Sequence, residues 1–246
     1  MQIKTEYVDI TVADSPLRMY VAAPADEQQY PGILYYSDIF QLTAPMIRAC
    51  NRLAGYGFVV AAPEIYHRIE PPGTVLSFEG EGRTRALEGP TKTPVAHFDE
   101  DCRAVLDYLK QHPRVAENKL GVGGFCIGGH LAFRAAMQPD VQATVCFYGT
   151  GIHHGKLGQD ADAGSLQRAA DIHGELLMVF GTIDPHVPEE GRATIAQALQ
   201  QTAVKHTTLL YHADHTFMRD EGYRHDAEAT DQAFGEMIRL FRRVLC

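Results

Sequence analysis

No window of this 246-residue chain approaches the roughly 18 to 20 consecutive apolar residues that span a bilayer, and Met1-Gln-Ile-Lys-Thr-Glu-Tyr7 holds no apolar signal core. Neither membrane insertion nor export is expected, and the expected compartment is the cytoplasm. Cysteine is sparse: Cys50, Cys102, Cys126, Cys146 and Cys246 are odd in number, widely spaced and free of any CxxC pair. That argues against a disulfide framework or a zinc ribbon and for free thiols. Positive charge is in deficit too. With 22 Lys plus Arg against 31 Asp plus Glu the formal charge is −9, so the overall field repels nucleic acid and anionic membrane. Internal repeats, low-complexity tracts and Ser/Gly linkers are absent, so residues 1–246 are expected to form one domain.

What is present is an alternation of apolar runs and helical patterns, the signature of an α/β protein with a mostly parallel central sheet flanked by helices on both faces. Strands are expected over Val8 to Val12, Leu17 to Ala22, Gly32 to Tyr36, Phe58 to Ala62, Leu120 to Gly123, Thr144 to Tyr148, Leu176 to Gly181 and Thr207 to Tyr211. Runs such as Ile33-Leu-Tyr-Tyr36 are continuous rather than alternating, which suits strands buried on both faces. The first two runs alternate and lie close together, as in an antiparallel N-terminal edge hairpin. Helices are expected over Pro45 to Ala54, from a Thr93 N-cap and Pro94 to near Pro113, after Cys126, over Glu189 to Gln200 and over Glu228 to Val244. Pro63 to Thr93 and Gly149 to Gly174 break the alternation. They read as long loops at the rim of a site.

The most specific motif is Gly123-Gly124-Phe125-Cys126-Ile127-Gly128-Gly129-His130, between an apolar strand and an apolar helix. A nucleophile elbow needs small residues two positions on either side of the nucleophile, because the strand turns so sharply into the helix. Gly124 and Gly128 stand there, and Cys126 stands between them at a helix N-terminus, where the partial positive charge favours thiolate. A buried free cysteine is more often a core residue, which is the reading for Cys50, Cys102 and Cys146. A phosphate-binding turn is the rival for a glycine-rich strand-to-helix junction, but neither G-x-G-x-x-G nor a following Lys-Ser/Thr is present.

Such a nucleophile needs a base and an orienting acid, which follow it in the order acid, then histidine. Asp184 follows the run Leu176 to Gly181 and His215 follows Thr207 to Tyr211, so all three candidates sit just past strands, where open α/β sheets build their sites. His212 and His186 compete with His215, and Asp214 competes with Asp184, though adjacency to His215 would require an awkward side-chain return. His153, His154, Asp160, Asp162 and His173 share one loop region without a recognised ligand spacing, so no metal and no cofactor are expected.

With these residues in place the chain resembles the dienelactone hydrolase family of cysteine-nucleophile α/β-hydrolases. The resemblance rests on Tyr36-Ser-Asp38-Ile39-Phe40, Pro63-Glu-Ile-Tyr66, the Cys126 elbow, Asp184-Pro-His-Val-Pro188 and His215-Thr-Phe-Met-Arg219. It implies an α/β-hydrolase fold and a small ester or lactone substrate, carboxylated and dienelactone-like, cleaved through a cysteinyl acyl-enzyme by a Cys126-His215-Asp184 triad. It implies further that the backbone N–H groups of Ile39 and Ile127 form the oxyanion hole. Asp38 takes the place of a thiol-gating glutamate, one methylene longer, and Arg85, Arg219 and Tyr66 contact substrate, with Arg83 the alternative to Arg85. The chain departs from the family in having no tryptophan and in the Gly149 to Gly174 segment, which reads as an insertion. A broader carboxylesterase or thioesterase that does not use dienelactone, and a non-catalytic ligand-binding or interaction module on the same fold, remain as alternatives.

Overall fold

A computed structural model describes residues 1–246. Eight strands form one sheet: β1 (Ile3–Val12), β2 (Ser15–Pro24), β3 (Tyr30–Tyr36), β4 (Val59–Pro63), β5 (Val115–Phe125), β6 (Val141–Phe147), β7 (Glu175–Gly181) and β8 (His206–Tyr211). Their order is β1-β2-β4-β3-β5-β6-β7-β8. β1 and β2 form the antiparallel edge hairpin, closed by Ala13 and Asp14 at φ 46° and 64°, the two-residue turn whose twist matches that of the strands. From β3 onward every neighbour is parallel.

Side chains of β3 divide by parity: Ile33 and Tyr35 enter one core and Leu34 and Tyr36 the other. Helices α1 (Ala44–Gly55) and α6 (Ala227–Leu245) cover the first face, and α3 (Val95–Gln111), α4 (Ile127–Ala135) and α5 (Glu189–Gln200) cover the second. Two-sided coverage is why the central strands read as unbroken apolar runs, each fully buried Leu or Ile contributing about 1.5–3 kcal/mol. The chain leaves β3 for β4 on one side and reaches β5 on the other. That reversal opens a crevice beyond the carboxyl ends of β3 and β5.

Every expected strand and helix is present, with four differences that have local causes. β5 starts at Val115 rather than Leu120, because the exposed Glu117 and Asn118 interrupt the apolar pattern. β1 starts at Ile3 rather than Val8, because Lys4, Thr5 and Glu6 lie on an exposed edge where no core face imposes an apolar pattern. The segment from Pro63 to Thr93 is not all loop: Gly80–Glu88 forms α2, which buries only Ala86 and so has no apolar stripe to announce it. α3 begins one residue later than expected, with Pro94 rather than Thr93 as its N-cap. The Thr93 hydroxyl donates instead to Gly89 O at 3.0 Å, and the orphan Val95 N–H finds its acceptor 65 residues away, at Asp160 Oδ2, 2.9 Å.

That long-range cap can be tested by thermal unfolding. Asp160→Ala is expected to cost about 1 kcal/mol and to lower Tm by about 2–4 °C; an unchanged melting curve would show that the carboxylate carries no weight at the helix terminus.

Candidate active site

Only one residue separates β5 from α4, and it is Cys126, at φ 58° and ψ −120°. A non-glycine residue there is strained by about 1–3 kcal/mol, so the surroundings must hold it. They do so by close approach: a Cβ on Gly124 would lie 2.2 Å from Gly128 O, and a Cβ on Gly128 would lie 2.2 Å from Ser37 O. Backbone hydrogen bonds fix the corner. Cys126 N–H donates to Phe147 O at 3.1 Å, and Cys126 O accepts from Gly129 N–H at 3.0 Å and Thr150 N–H at 3.2 Å. The half-buried thiol is left at the N-cap position of α4.

His215 and Asp184 emerge beyond β8 and β7. His215 Nδ1 lies 2.8 Å from Asp184 Oδ2, and Asp184 Oδ1 accepts the His186 N–H at 2.7 Å, so both carboxylate oxygens are engaged. Asp214, the alternative acid, accepts the backbone N–H of His215 at 2.6 Å and not its ring. Burial resists charging of either triad candidate. For Asp184 the His215 hydrogen bond and charge outweigh it and hold the carboxyl below its ordinary range. For His215 burial alone would lower the pKa, but the charge on the Cys126 sulfur and the hydrogen bond to Asp184 push it up to about 10. That shift favours the protonated ring, which Tyr148 flanks edge-on at 5.2 Å and His186 at a tilt at 4.5 Å.

Cys126 and His215 share a cleft of about 240 Å³ whose wall also includes Asp38, Ile39, Arg83 and Arg219. The Ile39 N–H donates to no acceptor in the chain, and Ile127, as the first residue of α4, has no intrahelical carbonyl for its N–H. Asp38 is nearly buried; burial raises its pKa, opposed by the Phe40 N–H at 2.9 Å and by Arg219, whose Nη1 is 3.7 Å from Oδ2. The Arg219 guanidinium lies over the Phe78 ring at 4.2 Å, and the Phe40 ring centroid is 5.6 Å away. Tyr66 is buried under this region with no hydrogen-bond partner for its hydroxyl; burial, with the charges of Cys126 and Asp38, raises its pKa.

Arg85 is paired bidentately with Glu70 and is not part of the cleft wall, whereas Arg83 is. The two residues are two apart on α2, and helical geometry points such a pair to different faces, so the helix decides between them. Sequence reasoning missed Arg224 and Thr216, which also line the cleft. Thr216 is buried, with φ 61° and an unpartnered Oγ1, and Arg224 Nε lies 3.1 Å from Asp214 Oδ2. Nothing in the spacing after His215 signals either one; both depend on how the segment beyond β8 folds back. His153, His154, Asp160, Asp162 and His173 form no group of three metal-type side chains, and no helix is long and apolar enough to cross a membrane.

The arrangement of a strained cysteine, an imidazole and a hydrogen-bonded carboxylate, with two free N–H groups nearby, is suited to acyl transfer. The sequence matches the profile of the dienelactone hydrolase family over residues 17–245. It is 36% identical over 256 residues to a Saccharomyces cerevisiae protein provisionally named a carboxymethylenebutenolidase, an alignment covering 100% of this chain and 93% of that one. A Synechocystis protein with the same provisional name is 31% identical over 246 residues, covering 100% and 99% of the two chains. The crystal structure of a Klebsiella pneumoniae protein, provisionally titled a dienelactone hydrolase, shares the fold with a TM-score of 0.88 at 24% identity, over 99% of this chain and 100% of that one.

The charge state of His215 is open to NMR. Its imidazole resonances are expected to remain those of the protonated ring from pH 7 to 9. Cys126→Ala removes the leading cause of the upward shift, so burial should then dominate and bring the midpoint down by several pH units. A neutral His215 ring at pH 7.5 in the unmodified protein would contradict the ion pair.

Proposed function

The chain belongs to the dienelactone hydrolase family, hydrolases acting on esters and lactones, and we propose that it opens a small carboxylated lactone or ester through a thioester on Cys126. The observation that carries this reading is the 2.8 Å His215–Asp184 hydrogen bond in the same cleft as the strained Cys126.

In the first half-reaction the Cys126 thiolate attacks the substrate carbonyl carbon. The developing oxyanion accepts hydrogen bonds from the N–H groups of Ile39 and Ile127, fixed donors each worth a few kcal/mol at the transition state. Collapse breaks the ester C–O bond, and the departing alkoxide takes the proton on His215 Nε2, since Nδ1 is committed to Asp184. In the second half, neutral His215 accepts a proton from water as its oxygen attacks the thioester, and loss of the thiolate regenerates the ion pair. Asp184 holds the ring in one orientation and balances its charge in each half. Asp38 is assigned control of the thiol proton, through a carboxyl that burial makes easier to protonate. Tyr66 supplies a hydroxyl with no competing partner in the protein.

Arg219 and Arg83 receive the substrate carboxylate. Arg219 is pre-ordered by its stack on Phe78 and by Glu221 O, which accepts from its Nε at 3.2 Å. Arg83 pairs with no carboxylate of the protein, so its guanidinium is available. The absence of tryptophan favours a scope wider than dienelactone itself, extending to carboxylated aryl esters.

Two sets of measurements test the proposal. Cys126→Ala should lower kcat/KM on carboxylated and neutral esters by roughly four orders of magnitude or more, and iodoacetamide should inactivate the protein with Cys126 as the modified residue; full activity in the variant would reject the thioester. For carboxylate recognition, Arg219→Ala and Arg83→Ala should each reduce the preference for dienelactone over a neutral aryl ester by about 10- to 100-fold, while Arg85→Ala should leave it within about twofold of the starting value. Equal losses on both substrates would remove the carboxylate-binding role.

A further inference from the structure

We propose that the cleft accepts a substrate bearing two acidic groups, with the second bound at Lys156 on the segment from Gly149 to Gly174; this rests on the hydrolase reading above and names its substrate class. The catalytic cleft does not end at the thiol. A second chamber of about 280 Å³ shares Ile39, Leu87, Thr150 and His186 with it and continues past Ile127 to His154, Lys156 and Gly158.

Charge is the first argument. In a protein of formal charge −9, the walls of the two chambers carry Arg83, Arg219, Arg224 and Lys156 and a single carboxylate, Asp38. Arg219 is partly neutralised by Asp38 and Arg224 by Asp214. Arg83 and Lys156 form no ion pair within the protein, and they line different chambers. Two uncompensated cations in adjoining chambers fit two separate acidic groups better than one. The ester between those groups would then lie near the residues common to both chambers, with Cys126 lining the first chamber, Ile127 the second and Ile39 both.

Rigidity is the second argument. A lysine on a loose loop would bind weakly, since its ordering would offset the contact, but this segment is anchored at several points. His130, fully buried and two residues beyond Gly128 of the elbow, bonds Thr150 O through Nδ1 at 2.9 Å and Ser165 Oγ through Nε2 at 2.7 Å. Arg134 donates to Ala163 O at 2.7 Å while paired with Asp99, and Asp160 caps α3. Gly151, at φ 79°, lets the chain fold back so tightly that a Cβ there would lie 2.2 Å from Lys156 O. The segment is thereby tied to the elbow helix on either side of Lys156, at Thr150 and Ala163. Lys156 is exposed and its ammonium can swing on its own stem, but its root is held, and Thr91 and Thr150 line the same chamber.

The test uses three aryl esters: 4-nitrophenyl acetate, mono-4-nitrophenyl glutarate, and the mono-glutarate ester of 4-hydroxy-3-nitrobenzoic acid, which carries a carboxylate on each side of the ester. Comparing each variant with the unmodified protein cancels differences in leaving-group reactivity. Lys156→Ala should reduce kcat/KM for the diacid relative to the monoacid by about tenfold, and Lys156→Glu should reduce it further, with most of the change in KM. A diacid-to-monoacid ratio unchanged within twofold in both variants overturns the second subsite while leaving the hydrolase intact. Failure of the unmodified protein to hydrolyse any of the three esters overturns the hydrolase reading itself, and this inference with it.

Discussion

The site depends on one steric constraint: a strand and a helix meet through a single residue, and the backbone carbonyls of Gly128 and Ser37 occupy the space that side chains two positions either way would need. That contact turns Cys126 to positive φ and sets its sulfur at the start of a helix. Everything electrostatic follows from where the sulfur is then held. A negative charge there favours the protonated form of His215 against the pull of burial, and the His215 hydrogen bond in turn favours the ionised form of Asp184. Groups coupled in this way are expected to respond to substitution non-additively.

The parts of this architecture legible in the sequence are those fixed by local rules. Two-sided burial writes an unbroken apolar run, a nucleophile elbow requires glycine at two set positions, and a carboxylate or imidazole just past a strand has few directions in which to point. This is why all eight strands and the Asp184–His215 pairing could be anticipated. The unreadable parts are set by contacts distant in sequence. α2 forms with two glycines in its first turn and one buried side chain, so its pattern is that of a loop until Ala86 is seen against the core. Without that helix Arg83 and Arg85 cannot be told apart. Likewise the acceptor for the first N–H of α3 comes from Asp160, and the place of Arg224 in the cleft follows from a turn beyond β8 that brings it to Asp214. The segment from Gly149 to Gly174 carries the same lesson. Its polar, glycine-rich composition reads as slack, whereas His130 and Arg134, both buried on the elbow helix, hold it in place.

The concentration of guanidinium groups in the cleft has a cost that the fold meets in several ways. Like charges brought together repel, and the repulsion grows as water is excluded. Here Asp38 and Asp214 each sit against one arginine, and Phe78 offers an aromatic face to Arg219. Arg83 and Lys156 are left to solvent, one on the wall of each chamber. The global charge of −9 does not oppose this arrangement, because surface charges more than about 8–10 Å away are largely screened at physiological ionic strength. Within the cleft the nearby cations dominate. On the proposed function, an acidic ester would be repelled weakly at a distance and held more strongly once inside, so that the local charge pattern would select among esters.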